Sequence, residues 1–561
     1  MAYLTNNNKV ERIYSNFRGV DFRGEEINLS RSPDSLNVWK DYKETESIRT
    51  RPSLNSYRGT NPVYGIFWYK GAMMLHAGAT LSKVTASGET ELFTNMAQSP
   101  SQAFVYDDVF YIKDGKNYLQ YDGATIKEVV GYIPTTTIAR KPHGGGTKYE
   151  EVNMMSDYRK NSFLADGGSF DFYLDTMNID TDYVPVVTVN DKVIATADYE
   201  VDYAEGKITF ISSAPDAPLT DGQDNIVVQF KKAVPGYKDS ILNCTMLQVF
   251  DNRVFFSGNS THPNTVWHCS LNDPSFVSDL DYYREGMDDA AVKGLVAGNN
   301  ALWVFREPSS ANTTVFYHTP TIDEEYGKIY PSTHSSVTTG CIGKAINFND
   351  DIVFFSDRGM EGISGDVTTE QVVAHRSSMV DRKMIAEADY KNMVLAEWEG
   401  YLLVFIGTKV YLADSRAMFT NENHMEYEWF YWDLGKTVTC TCVHNGVLYL
   451  GTADGVYTLT GTGGVESYWV TPKDKFKHPH KLKTTNKRGC VAEATGDISV
   501  YAKLEDTDFE LIGTYEKVTD YFVSRIKRKK FKDIQLKIHS TTRFSLETIT
   551  LECFIGGYIK R

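Results

Sequence analysis

Seven times along the chain an apolar run breaks at a tight polar dipeptide and resumes as a second apolar run. The breaks are Lys70-Gly71 in WYKGAMML, Asp107-Asp108 in VYDDVFYI, Asp251-Asn252 in VFDNRVFF and Asn299-Asn300 in AGNNALWVF. Asn349-Asp350 in NFNDDIVFF, Glu399-Gly400 in WEGYLLVF and Asn445-Gly446 in VHNGVLYL complete the set. Asn, Asp and Gly tolerate the positive φ of a two-residue hairpin turn, so each unit reads as strand, turn, strand. Successive breaks lie 37, 144, 48, 50, 50 and 46 residues apart. One four-stranded propeller blade takes about 40–50 residues, so the long gap holds one blade plus roughly 95 residues of a guest domain. The pattern predicts an all-β protein: an about seven-bladed β-propeller, with residues 61–149 as its first part and 236–462 as its second.

The guest is predicted at 150–235. It follows the Gly-rich stretch KPHGGGTKYEE, taken as a linker, and contains short strand patterns at FDFYL, VPVVTV, YEVDY, KITFI and NIVVQF. These read as a β-sandwich. After GTGG at 461–464, the segments DISVYAKL, FELIGTY, KDIQLKIHS and ITLECFIGG alternate at period two, which predicts a C-terminal β domain over 463–561. Residues 1–60 show neither period and read as an irregular arm. The last blade has three clear strands, near TVTCTCV, VLYLGT and GVYTLT. A segment from about Glu46 to Thr60, with Ile48 inward, is predicted to supply the fourth and so remove an exposed sheet edge.

Composition adds constraints. Tyr accounts for 35 residues and aromatics for 13%, a strand-favouring bias. The seven cysteines are scattered, with neither a disulfide framework nor a CxxC zinc pattern, which points to free thiols in a reducing compartment. No apolar run is long enough to span a bilayer, and the opening MAYLTNNNKVERIYSNF lacks the apolar core of a signal peptide. No membrane anchor is expected.

The charge is uneven. From Lys473 onward 19 Lys and Arg face 12 Asp and Glu, a net +7, while the preceding chain carries −22. An acidic body repels nucleic acid, and one basic end can meet DNA or an acidic partner. The candidates for that contact are Lys473, Lys475, Lys477, Arg525, Lys527, Arg528, Lys529 and Lys530. A solvated, Lys-protected strand edge would produce the same residues.

Motifs of catalysis are missing from the sequence: no repeated Asp-box turn, GxSxG elbow or HExxH helix. Gly144-Gly145-Gly146-Thr147-Lys148 lacks the spacing of a phosphate loop. The pair His478 and His480 flanks a proline among lysines, which disfavours a metal. The expectation is a non-enzyme with no cofactor, no metal and no catalytic residue.

The arm carries a resemblance. SPDSLNVWKDYKETESIRTRPS, ahead of an all-β repeat body, resembles the N-terminal region of bacteriophage tail nozzle and tail-hub proteins. Asn37 begins the N-V-x step. Arg51-Pro52 stands where such proteins carry an R-P-G-like turn, with Ser53 here in place of the Gly. The resemblance implies a ring of identical subunits, a hexamer, in the virion tail, assembled in the host cytoplasm. It also implies viral DNA passing through a central channel, a neighbouring tail adaptor or portal-proximal ring protein as partner, and tail fibres as further contacts. A related role is a plug that stabilises packaged DNA. In such a ring Phe22, Leu36, Val38, Trp39 and Tyr42 would lie on a neighbouring subunit or strap the propeller shut. The alternatives are a glycan- or receptor-binding propeller and an envelope-degrading hydrolase.

Overall fold

A computed structural model of the chain describes residues 8–24, 27–41, 43, 46–324, 327–364, 371–421, 424–526 and 530–558. The protein is nearly all β and of the β-propeller class. It divides into two compact units: residues 1–100, 312–315 and 335–561, and residues 101–311 and 316–334.

Seven antiparallel four-stranded sheets occur among the described residues, numbered here as blades in chain order. The first unit holds blade 1 (63–93), blade 5 (345–375), blade 6 (394–433) and blade 7 (438–461, completed by Ser53–Gly59). The second holds blade 2 (102–128), blade 3 (246–284) and blade 4 (292–334). All seven dipeptides join the first and second strands of a blade, and all fourteen residues have φ between 44° and 75°. That double left-handed conformation is the type I′ turn, whose twist matches the flanking strands. Lys70 and Glu399, poor residues for it, are each followed by Gly71 or Gly400, which adopts it without steric cost.

The second strands lose the period-two pattern because both faces are covered. In Tyr401–Ile406, Leu402 and Val404 pack with Phe348, Val353 and Phe355 of blade 5, while Leu403 and Phe405 pack with Leu448 and Leu450 of blade 7. In the second unit, Phe256 of blade 3 meets Tyr118 of blade 2, and Phe255 meets Leu302 and Val304 of blade 4.

The guest domain starts earlier than its sequence suggests. Its six-stranded sheet already contains Thr135–Arg140 and Thr147–Lys148, and the Gly-rich stretch is the tight turn between them rather than a linker. Gly144, Gly145 and Gly146 hold φ of 118°, 73° and 92° there. A three-stranded sheet packs against it over Phe163, Phe172, Ile208, Val228 and Phe230. Between the guest strands the chain also returns to blade 3. Asn153, 1% exposed, donates to the carbonyls of Tyr132 and Ser275 (2.8 and 2.9 Å) and accepts from the amides of Met155 and Val277 (both 3.0 Å). Met154 and Met155 are buried beside it.

The arm is not irregular either. Ser35–Leu36, Val38–Trp39 and Ile48–Thr50 are strands of the C-terminal sheet, flanking Ser467–Val470, Ile534–Ser540, Lys481–Leu504 and Phe544–Tyr558. Lys9–Ser15 pairs with Phe544–Tyr558 as well. Strands of two or three residues carry no readable period, so these were invisible to pattern analysis. Ser53–Gly59 supplies the fourth strand of blade 7 by pairing with Gly455–Gly461. Ile48 is fully buried, but in the C-terminal sheet rather than in the blade.

Candidate functional site

The first unit is held together by the arm, and the arm turns on one residue. Asn37 has φ 57°, the left-handed conformation Asn tolerates best after Gly. This turn lets its backbone and side chain reach three segments at once. Its amide donates to the Tyr431 carbonyl (3.0 Å), and its Nδ2 to the Glu466 carbonyl (2.9 Å). Its Oδ1 accepts from the Asp433 amide (2.9 Å) and from Nε of Arg51 (2.8 Å). Arg51, 4% exposed, spends its other nitrogens on the carbonyls of Pro52 (2.9 Å) and Asp433 (2.8 Å). Burial pushes its guanidinium pKa down to about 10. Asn37 and Arg51 thus clasp the arm to the last strand of blade 6 and to the start of the C-terminal sheet.

Around the clasp lies an aromatic core. Trp39 stacks on Trp398 (5.5 Å between centroids, 15°) and meets Trp432 edge-on (5.7 Å, 84°). The Trp432 indole donates to the Val38 carbonyl (3.1 Å), and the Tyr401 hydroxyl to the Lys40 carbonyl (2.8 Å). Arg31 grips the buried Glu428 with two hydrogen bonds (2.9 and 2.6 Å) and lies over Phe419. Gly19 approaches so closely that a Cβ would sit 2.0 Å from the Trp429 carbonyl oxygen.

Of the two expected roles for the arm, contact with a neighbouring subunit is corrected for two residues, while a strap within the chain is compatible with their placement. Val38 and Trp39, at 0% and 3% exposure, are enclosed in the chain's own core and have no surface left for a neighbour. Phe22 and Leu36 are half-buried. The Phe22 ring meets Tyr431 edge-on (5.7 Å), with the Lys383 ammonium over both rings. Tyr42 lies outside the described residues.

The basic end is built on the same sheet. Asp474 and Phe476 are buried, so Lys473, Lys475 and Lys477 alternate outward. Asp474 is the anchor: it accepts from Arg12 (2.7 Å), from the Tyr14 hydroxyl (3.0 Å) and from the Phe476 amide (2.5 Å). Lys473 is paired with Asp506 (2.9 Å) and Asp533 (3.5 Å). Lys475, Lys477, Arg525 and Lys530 are exposed and have no carboxylate partner among the described residues. Arg525 and Lys530 edge a cavity of about 310 Å³ floored by Ala502, Ile526 and Phe531. Lys527, Arg528 and Lys529 lie outside the described residues. Sequence reading missed Lys483, fully buried, which donates to the carbonyls of His478 (2.5 Å) and Lys532 (2.6 Å) and so ties both basic runs together. No signal in the sequence marks it, since alternation with Leu482 would place Lys483 on a solvated face.

No group of three or more His, Cys, Asp or Glu side chains able to hold a metal occurs among the described residues. No helix there is long and apolar enough to cross a membrane.

No protein-family model matches the chain, and no curated protein matches it. Among solved structures it is similar to BamB from Moraxella catarrhalis, at 12% identity and a TM-score of 0.33, over 72% of this chain and 96% of that one. It is also similar to the Pan2 WD40 domain of Neurospora crassa, at 9% identity and a TM-score of 0.25, over 74% and 95%. An exo-β-1,3-galactanase of Phanerochaete chrysosporium aligns at 10% identity and a TM-score of 0.20, over 54% and 94%. Likenesses this distant say nothing of what this chain does.

Proposed function

We propose that the chain is a structural subunit of a bacteriophage tail, a nozzle or hub ring that retains the genome and then passes it. What supports this reading is the clasp. The two residues that carry the resemblance to tail proteins, Asn37 and Arg51, are the hydrogen-bonding centre that locks the arm into the first unit. A strap embedded in this way suits a part that must keep its shape while DNA moves past it. In this reading the chain carries no catalysis of its own, and its partners are further copies of itself, an adjoining tail ring and DNA.

The test is the mass of the full-length chain in solution, by light scattering and native mass spectrometry, alone and with the neighbouring virion proteins. A closed ring of identical subunits is the expected result, a hexamer by the resemblance. A chain that stays monomeric in both conditions overturns the proposal. So does a purified chain that hydrolyses host polysaccharide with a single carboxylate in control.

A further inference from the structure

Blade 3 ends in the strands Thr265–His268 and Tyr282–Arg284, and the chain returning from the guest domain, at 235–240, borders them. Between these segments lies a cleft of about 350 Å³, at the small end of the roughly 300–1,000 Å³ span of ligand sites. Its walls are aromatic. Trp267 lines it, with His262 set edge-on against the indole (5.8 Å, 82°). Tyr237 and Tyr282 stand at the sides, and Tyr282 is 40% exposed.

Two charged groups share this cleft. Asp279 accepts the Tyr237 hydroxyl on Oδ2 (3.2 Å), while its Oδ1 is buried with no hydrogen-bond partner among the described residues. Burial also raises the Asp279 pKa. Arg284, exposed, lies 5.9 Å from the centroid of the Tyr282 ring and has no carboxylate partner among the described residues. A buried acceptor without a donor is costly, so a small turn of the Asp279 carboxylate that brings an oxygen to a donor held in the cleft is favoured.

The pairing of charges selects the ligand. A cation would be drawn to the aromatic walls but repelled by Arg284. An anion would meet the Asp279 carboxylate. A neutral ring with hydroxyls can donate to Asp279 Oδ1, accept from Arg284 and lay its C–H face on an aromatic wall. A pyranose offers all three. We infer that this cleft in the second unit binds one neutral sugar unit of a glycan. The inference concerns blade 3 alone and holds whether or not the chain assembles into a ring.

Saturation-transfer NMR on the full-length chain tests it. The probes are methyl β-glucopyranoside, methyl β-galactopyranoside and N-acetylglucosamine, with choline as the cationic and N-acetylneuraminic acid as the anionic control. Transfer to the C–H protons of at least one neutral sugar is expected. It should vanish in Tyr282→Ala, and affinity should fall about tenfold in Asp279→Asn and in Arg284→Ala. All three positions lie at the cleft rather than in the core, and circular dichroism checks that each variant is folded. The assignment is overturned if none of the neutral sugars binds, if choline or N-acetylneuraminic acid binds better, or if folded Tyr282→Ala binds as well as the parent chain.

Discussion

Arg51 shows how a single buried cation can be tolerated. Each side-chain nitrogen meets an oxygen, on Asn37, Pro52 or Asp433, so desolvation is offset by charge-assisted hydrogen bonds. Replacing it by Met leaves those oxygens under-satisfied inside the core, a loss on the order of 3 kcal/mol. The expected reading is a lower urea midpoint for Arg51→Met at unchanged slope. Arg51→Lys should not restore it, because an ammonium cannot reproduce the planar fork. His375 makes a different case. It sits between Asp381 (2.6 Å) and Glu361 (3.2 Å), while Ser377 donates to the same Asp381 (2.5 Å). Burial opposes its charge, but the two carboxylates prevail and hold its pKa up at about 10. A folded pKa above the unfolded value of about 6.5 means stability that is fully present below that pH and fades as pH rises toward the folded value. Burial lifts the Asp381 carboxyl too, so the pair contributes less than the histidine alone would suggest. The melting temperature should therefore fall between about pH 6.5 and pH 10, and the fall should be shallower in His375→Gln. Parallel profiles for the two chains would refute this origin.

The arm's elements are short, but their partners are far away in the chain. Ser53–Gly59 pairs with Gly455–Gly461, and Lys9–Ser15 with Phe544–Tyr558, so both ends of the first unit are fastened by ladders of high sequence separation. Truncating residues 1–60 removes the closing strand of blade 7 and exposes an edge, and insoluble protein is expected. Truncating residues 1–45 spares that strand but deletes the Lys9–Ser15 strand, the Asn37 hub and Trp39. Loss of a buried Trp alone costs about 3–5 kcal/mol. Thermal melts should rank the full chain above the 1–45 truncation, while the 1–60 truncation should be recovered in the insoluble fraction. A 1–45 truncation as stable as the full chain would show the strap to be ornamental.

At the scale of the whole molecule, charge separates an acidic body from a basic end. Lys473 is already neutralised by Asp506 and Asp533, whereas Lys475, Lys477, Arg525 and Lys530 face solvent. Under the tail-ring proposal these four give weak duplex-DNA binding that falls steeply with salt. Reversing all four to Glu should abolish it, and Lys473→Glu should leave it nearly unchanged. Salt-independent binding, or equal loss in both variants, would contradict that assignment. Much of the architecture was decided locally. Each blade hairpin turns on a dipeptide with at least one Asn, Asp or Gly whose own backbone preference allows positive φ, and the second strands are apolar enough to be covered on both faces, so the seven sheets were legible in residues such as Asn299-Asn300 and Asn445-Gly446. The imbalance of charge is likewise a property of composition. The clasp, the cleft on blade 3 and the Lys483 tie were not legible. Their partners, Asn37 with Glu466, Trp39 with Trp398 and Tyr237 with Asp279, are dozens to hundreds of residues apart. No periodicity encodes which distant strand a two-residue segment will join. That choice is made by packing and by the need of each buried polar group for a partner, and only the folded chain brings those partners within reach.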